Sequence, residues 1–176
     1  MRRVLVVLLL LTATFSVPGA TGEPVQKVPV FPNLSFTALD GSVQIDLESL
    51  RGRPVLMTFW ASWCGPCRQE LPELEKLASE LAKTGFTLVT INLDQSPEMG
   101  ARFLQTYDID VPTYRMDPRV VVQLGVQSLP TNVLLDREGR PVQIYRGYSP
   151  AVPAEIRRLV VAMDTPPKGD GGSSAQ

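Results

Sequence analysis

The chain has two cysteines, Cys64 and Cys67, separated only by Gly65 and Pro66. Both tryptophans, Trp60 and Trp63, fall in the same stretch, FWASWCGPCRQELPEL, over residues 59–74. Two thiols at this spacing can open and close as a dithiol–disulfide pair. A purely structural disulfide would gain its stability by closing a long loop, and this loop is minimal. Two cysteines without histidine cannot complete a four-ligand zinc site. A two-thiolate Cu(I) site stays open, because thiolates favour that ion.

Such a pair depends on what positions it. The apolar run PVLMTFW over residues 54–60 reads as a central buried strand. A helix follows. Pro66 stands at its start, where the fixed φ of proline is tolerated. Leu71, Leu74, Leu77, Ala78 and Leu81 recur at helical spacing. Pro72 lies inside and is expected to kink it, and Gly85 is expected to end it. The cysteines therefore sit at a helix N-terminus, whose unpaired N–H groups and partial positive charge stabilise a thiolate and lower its pKa. This predicts Cys64 as the exposed, attacking thiol. Cys67, one turn later on the same side, is less accessible and resolves the mixed disulfide.

Around this centre, LSFTALDGSVQIDL reads as a hairpin turning at Asp40-Gly41, and LESLRG as one helical turn ending at Gly52. FTLVTINLD is a second buried strand, and SPEMGARFLQTYD a helix with Pro97 near its first turn. VPTYRMDPRVVVQLGV reads as a connector with a short helix near Pro118. Two strands, 132–136 and 142–146, flank the turn REGR, and SPAVPAEIRRLVVAMD is a closing helix. The order implies a mixed sheet with helices on both faces, an α/β class. The four tyrosines read as packing residues. Asp94, Asp108 and Asp110 lack the spacing of a calcium loop.

The N-terminus reads as an export segment: Arg2 and Arg3, an unbroken apolar run over residues 4–11, then small residues at Gly19, Ala20 and Gly22. Residues 1–22 are expected to be a signal peptide, or an anchor that tethers the chain through residues 4–17. Residues 23–164 form the expected domain, opening with a proline-rich arm over 23–32. The Pro/Gly/Ser-rich tail 165–176 is expected to be disordered. Hydrophobic residues make up 44% and charged residues 20%, ordinary for a globular protein. A formal charge of −1 gives nucleic acid no footprint. The lack of histidine removes histidine-based acid–base chemistry and triads.

FWASWCGPC resembles the active site of the thioredoxin superfamily. The longer SFTALDGSVQIDLESLRGRPVLMTFWASWCGPCRQELPELEKL resembles the TlpA/ResA/CcmG-like branch of extracytoplasmic thiol:disulfide oxidoreductases. The likeness covers residues 32–163. It implies a thioredoxin-like fold, a mixed central sheet flanked by helices, with an N-terminal β-hairpin and a central α/β insertion. It implies Cys64 as nucleophile, Cys67 as resolving cysteine and Trp63 as a flanking residue, with no cofactor beyond the Cys64–Cys67 disulfide. Glu70 matches an acidic residue that tunes the thiols or handles their protons. Pro130 in SLPTNVLLD matches a cis-proline that sets the backbone of Leu129 against Cys64, ready to pair with a substrate strand. One position departs from the pattern. Cytoplasmic thioredoxins carry a buried aspartate six residues before the first cysteine, and here that place is Thr58, which cannot act as a base.

The dipeptide Gly65-Pro66 resembles that of thioredoxin, a reductant at roughly −270 mV, rather than that of the oxidant DsbA at roughly −120 mV. The resemblance therefore implies an exported, periplasmic or extracytoplasmic reductase of protein disulfides. Its expected substrates are apocytochrome c or a copper-site assembly protein, and its expected electron donor is a membrane thiol carrier of DsbD/CcdA type. Two alternatives are a disulfide oxidase or isomerase of exported proteins and a non-enzymatic Cu(I) chaperone.

Overall fold

The structure, a computed structural model, describes residues 34–164. The expected export segment, the arm and the tail lie outside the described residues. Strands β1 (Ser35–Ala38) and β2 (Gln44–Asp46) form the expected antiparallel hairpin, with Phe36 opposite Ile45. A 3-10 turn (Leu47–Leu50) leads to β3 (Val55–Trp60) and α1 (Gly65–Leu81). Then come β4 (Thr87–Asn92), α2 (Pro97–Tyr107), β5 (Thr113–Arg115), α3 (Pro118–Gln123), β6 (Thr131–Leu135), β7 (Pro141–Arg146) and α4 (Val152–Asp164).

All seven strands join one sheet in the order β2-β1-β5-β4-β3-β6-β7. At its centre β3 runs parallel to β4 and antiparallel to β6. All six residues of β3 are buried, as expected for a strand covered on both faces. Its alternation divides the core. Leu56 and Trp60 point to the layer formed by α1, α2 and α4, together with Leu71, Leu74, Phe103 and Ile156. Val55, Met57 and Phe59 point to the opposite layer, with Phe36, Leu47 and Val121 of α3. The fold is thioredoxin-like, a mixed sheet flanked by helices.

Beyond shifts of one or two residues at strand ends, the structure differs from the sequence reading at one strand and one helix end. The connector VPTYRMDP contains a strand, β5, which bonds to β1 on one side and β4 on the other and so ties the hairpin into the sheet. Its three half-buried residues are too few to show an alternation. The first helix ends at Leu81 rather than at Gly85. A 3-10 turn (Ala82–Thr84) intervenes, and Gly85 closes that turn at φ +76°, a conformation glycine adopts without a Cβ penalty. The helix α1 runs through Pro72 as one element of 17 residues.

Gly100 on α2 has a packing reason. A Cβ there would lie 2.8 Å from the buried side-chain amide of Asn92, which is bonded to Asp94 through both its nitrogen and its oxygen. Gly100→Ala is expected to lower stability by about 1 kcal/mol. Overpacking costs about 1–3 kcal/mol, and this exceeds the roughly 1 kcal/mol that alanine gains in a helix. Urea unfolding checks it, and an unchanged or higher midpoint would mean that Asn92 can yield.

Candidate active site

The end of β3 and the start of α1 place the two cysteines. Cys64 is the N-cap of α1, with extended backbone and with Gly65 and Pro66 in the first turn. Its sulfur accepts a hydrogen bond from the backbone N–H of Cys67 at 3.2 Å. Pro66 brings no N–H of its own, so the Cys67 N–H is the first-turn donor that reaches the sulfur. Cys64 and Cys67 form a disulfide, with Cα atoms 5.3 Å apart. The expectation of an exposed Cys64 is corrected. Cys64 is 5% accessible and Cys67 is 0%. The order of access is as expected, but both cysteines are buried, because both pack into the apolar core cluster that includes Trp60 and Leu71. Gly65 is not a steric necessity, since a Cβ there would meet nothing within 4 Å.

Trp63, 65% exposed, stands beside the disulfide. With Cys64, Pro66, Leu93, Val126 and Leu129 it lines an open groove. The Leu129–Pro130 peptide bond is cis. The carbonyl of Pro130 accepts from the N–H of Gly147 at 2.8 Å. Among the described residues, no backbone hydrogen bond engages the N–H or C=O of Leu129.

Glu70, one turn after Cys67, is 0% accessible. Its Oε1 accepts from Nδ2 of Asn132 at 2.8 Å, and Oδ1 of Asn132 accepts from the hydroxyl of Thr58 at 2.8 Å. Three elements thus converge on one buried carboxyl group: α1, β6 and β3. The second oxygen, Oε2, is buried without a partner. Burial, opposed by the Asn132 bond and aided by the charge of Glu73, pushes the Glu70 carboxyl from an ordinary 4.5 up to about 7. Thr58 occupies the departing position as a hydroxyl that donates into this chain.

Asn132 and Asp94 are the residues that the sequence reading missed. Asp94, 2% exposed, receives the backbone N–H of Ser62 at 3.1 Å, the Ser62 hydroxyl at 3.0 Å and the Asn92 amide at 2.8 Å. It clamps the loop that delivers Trp63 and Cys64, and the N–H of Cys64 in turn bonds the carbonyl of Ala61 at 3.1 Å. The available signal was a polar residue breaking an apolar strand, Asn132 in TNVLL and Asp94 at the end of TINLD. Of the tyrosines, Tyr145 is buried and Tyr114 packs on Phe36. Tyr107 lies under the guanidinium of Arg68 at 5.7 Å, and Tyr148 donates to Glu73.

The arrangement is a dithiol switch capping a helix, with a buried acid one turn below and an open groove above. Comparison with known proteins bears on the same region. The profile of the Redoxin family matches residues 25–159. The thiol-disulfide oxidoreductase ResA of Bacillus thuringiensis subsp. konkukian is 29% identical over 117 residues, 66% of this chain and 67% of that protein. The thioredoxin-like protein YneN of Bacillus subtilis is 33% identical over 126 residues, 70% of this chain and 73% of that one. Among solved structures, a chain described as a DsbE-type thiol:disulfide interchange protein from Chlorobium tepidum superposes with a TM-score of 0.71. It is 28% identical and covers 81% of this chain and 100% of its own.

Proposed function

Since the chain belongs to the Redoxin family, on the ResA-like branch of the thioredoxin superfamily, we propose that this thiol:disulfide oxidoreductase is an extracytoplasmic reductase of protein disulfides. The observation that carries the reading is the Cys64–Cys67 pair capping α1, with Gly65-Pro66 between the sulfurs and Glu70 buried one turn below. No cofactor enters beyond that disulfide.

In the reducing direction the Cys64 thiolate attacks one sulfur of a substrate disulfide. The substrate S–S bond breaks, a mixed disulfide forms on Cys64, and the released substrate thiolate takes up a proton. The N–H of Cys67 stabilises the attacking thiolate, as does the helix end. Cys67 then gives its proton to Glu70 and attacks the Cys64 sulfur. The mixed disulfide breaks, the second substrate thiolate leaves and is protonated, and the Cys64–Cys67 disulfide remains. Two electrons have passed from this dithiol to the substrate. A residue that takes a proton near neutral pH needs a pKa close to that pH, and the raised Glu70 carboxyl meets this condition. Trp63 and Leu129 bound the groove, where an extended substrate segment pairs with the free main-chain groups of Leu129. The substrates are cysteine pairs of the apocytochrome c or copper-site assembly kind, and a membrane thiol carrier of DsbD/CcdA type returns the electrons.

The test is the reduction potential of the pair in dithiothreitol or glutathione buffers. Trp63, exposed beside the disulfide, is the fluorescent reporter. A value at or below roughly −250 mV is expected. A value near roughly −120 mV would make the protein an oxidant and reverse the proposed direction.

A further inference from the structure

Asp94 carries a buried carboxylate, 2% exposed, just past the end of β4. Among the described residues no cation forms an ion pair with it, and Arg115 reaches only its backbone carbonyl, at 3.2 Å. Its charge is met by neutral donors instead. The N–H and the hydroxyl of Ser62 donate to it at 3.1 and 3.0 Å, and the side-chain N–H of Asn92 at 2.8 Å. A buried charge is tolerated only where such bonds replace water. The Asn92 amide is not free to turn. Its oxygen accepts from the backbone N–H of Asp94 at 3.2 Å, so its nitrogen must face the carboxylate. An asparagine in place of Asp94 would set an N–H either against the Asn92 N–H or against the Ser62 donors. The site requires an acceptor on both sides, which a carboxylate supplies and an amide does not.

The segment so held runs from Trp60 to Cys64. The N–H of Leu93 adds a bond to the carbonyl of Trp60 at 2.8 Å, so residues 93 and 94 grip the segment at both Trp60 and Ser62. Trp63 is the next residue, and with Leu93 it lines the groove beside the disulfide. It is 65% exposed and has little packing of its own to fix it. Cys64, by contrast, is buried and held as the cap of α1. Resting on the reading that a substrate segment lies in this groove, we propose that Asp94 is a positioning residue for protein substrates: its carboxylate fixes Ser62 and, through it, the Trp63 wall of the groove. A small disulfide needs only the Cys64 sulfur. An extended protein segment must also meet Trp63 and Leu93, and so depends on Asp94 far more.

The same geometry gives the role a signature that a merely structural residue lacks. Exchanging the two side chains, Asn92→Asp together with Asp94→Asn, restores the complement of donors and acceptors. Position 92 then accepts from both the backbone and the side-chain N–H of position 94, and the oxygen at position 94 accepts from both Ser62 donors. Side-chain size is kept at both positions, including the space beside Gly100 into which the Asn92 amide packs.

The test compares the rates at which the reduced full chain exchanges with insulin and with hydroxyethyl disulfide. In Asp94→Asn the ratio of the insulin rate to the hydroxyethyl disulfide rate should fall by about tenfold. The paired exchange should return it to within about twofold of the native ratio. Nitrogen relaxation of the Trp63 indole should show faster motion in Asp94→Asn and native motion in the paired exchange. Ser62→Ala removes one donor and keeps the other, so it should lower the ratio in the same sense by less, and it serves where Asp94→Asn does not fold. Equal losses on both disulfides, or a native ratio in every folded single variant, would overturn the proposal. So would a paired exchange that folds and keeps the low ratio of Asp94→Asn. The groove reading is judged separately, by Trp63→Ala. A native ratio in that variant would sink the groove reading, while the Trp63 relaxation in Asp94→Asn still decides whether Asp94 holds the wall.

Discussion

Replacing Cys64 with serine is expected to abolish disulfide exchange, whereas replacing Cys67 with serine leaves a protein that attacks its substrate and cannot release it. The asymmetry comes from access and from position. Cys64 keeps the small exposed area of the pair and caps the helix, where the N–H of Cys67 points at its sulfur. Cys67 is sealed behind it and reaches only the Cys64 sulfur. Without the first thiol no mixed disulfide forms, because a serine side chain has no sulfur to join and its hydroxyl is not ionised at neutral pH. Without the second, exchange stops at the mixed disulfide. Non-reducing electrophoresis of Cys67→Ser incubated with a disulfide-bonded protein should show an adduct that dithiothreitol dissolves, absent from Cys64→Ser. The reverse pattern would exchange the roles of the two cysteines. The loop between them is minimal, so neither substitution should change stability by the roughly 2–4 kcal/mol of a long-loop disulfide. Loss of activity can then be read as chemistry.

How far the site could be read in the sequence depended on how far apart its parts lie along the chain. The cysteines, Pro66 and the leucine spacing of α1 are contiguous, and an apolar strand followed by a helical period places them without further information. Pro130 and Glu70 were reached by resemblance, since neither residue type announces a role. Glu70 follows Arg68 and Gln69 and reads as part of a polar helix face. It is buried because β6 brings in Asn132, 62 residues later, to satisfy one of its oxygens. The same distance hid Asp94, whose partner Ser62 lies 32 residues earlier, and Tyr148, 75 residues from Glu73. The strand β5 escaped for a different reason. It has three residues and no pattern of its own, and it exists because β1 and β4 leave a gap that only a paired backbone can fill.

Glu70→Gln is expected to make the oxidised protein more stable at pH 8 and to change little at pH 4. The sign follows from the direction in which burial moves the group. The Glu70 carboxyl titrates near 7 in the folded protein against an ordinary 4.5, so the folded state binds the proton more tightly than the unfolded chain. Below about pH 4 both states are protonated and burial of the neutral acid carries no ionic penalty. Between pH 4.5 and 7 the unfolded chain ionises first, and stability falls as pH rises. Above 7 the full cost is in place, on the order of 3 kcal/mol, since each tenfold gain in proton affinity corresponds to about 1.4 kcal/mol. Glutamine keeps an oxygen for Asn132 and never ionises. The difference between variant and native protein should therefore open across pH 4.5–7 and then level off, as measured by urea unfolding at several pH values. A difference independent of pH would mean that Glu70 ionises in the fold as it does in water. The reason for placing below Cys67 a carboxyl group that takes up and releases a proton near neutral pH would then be lost.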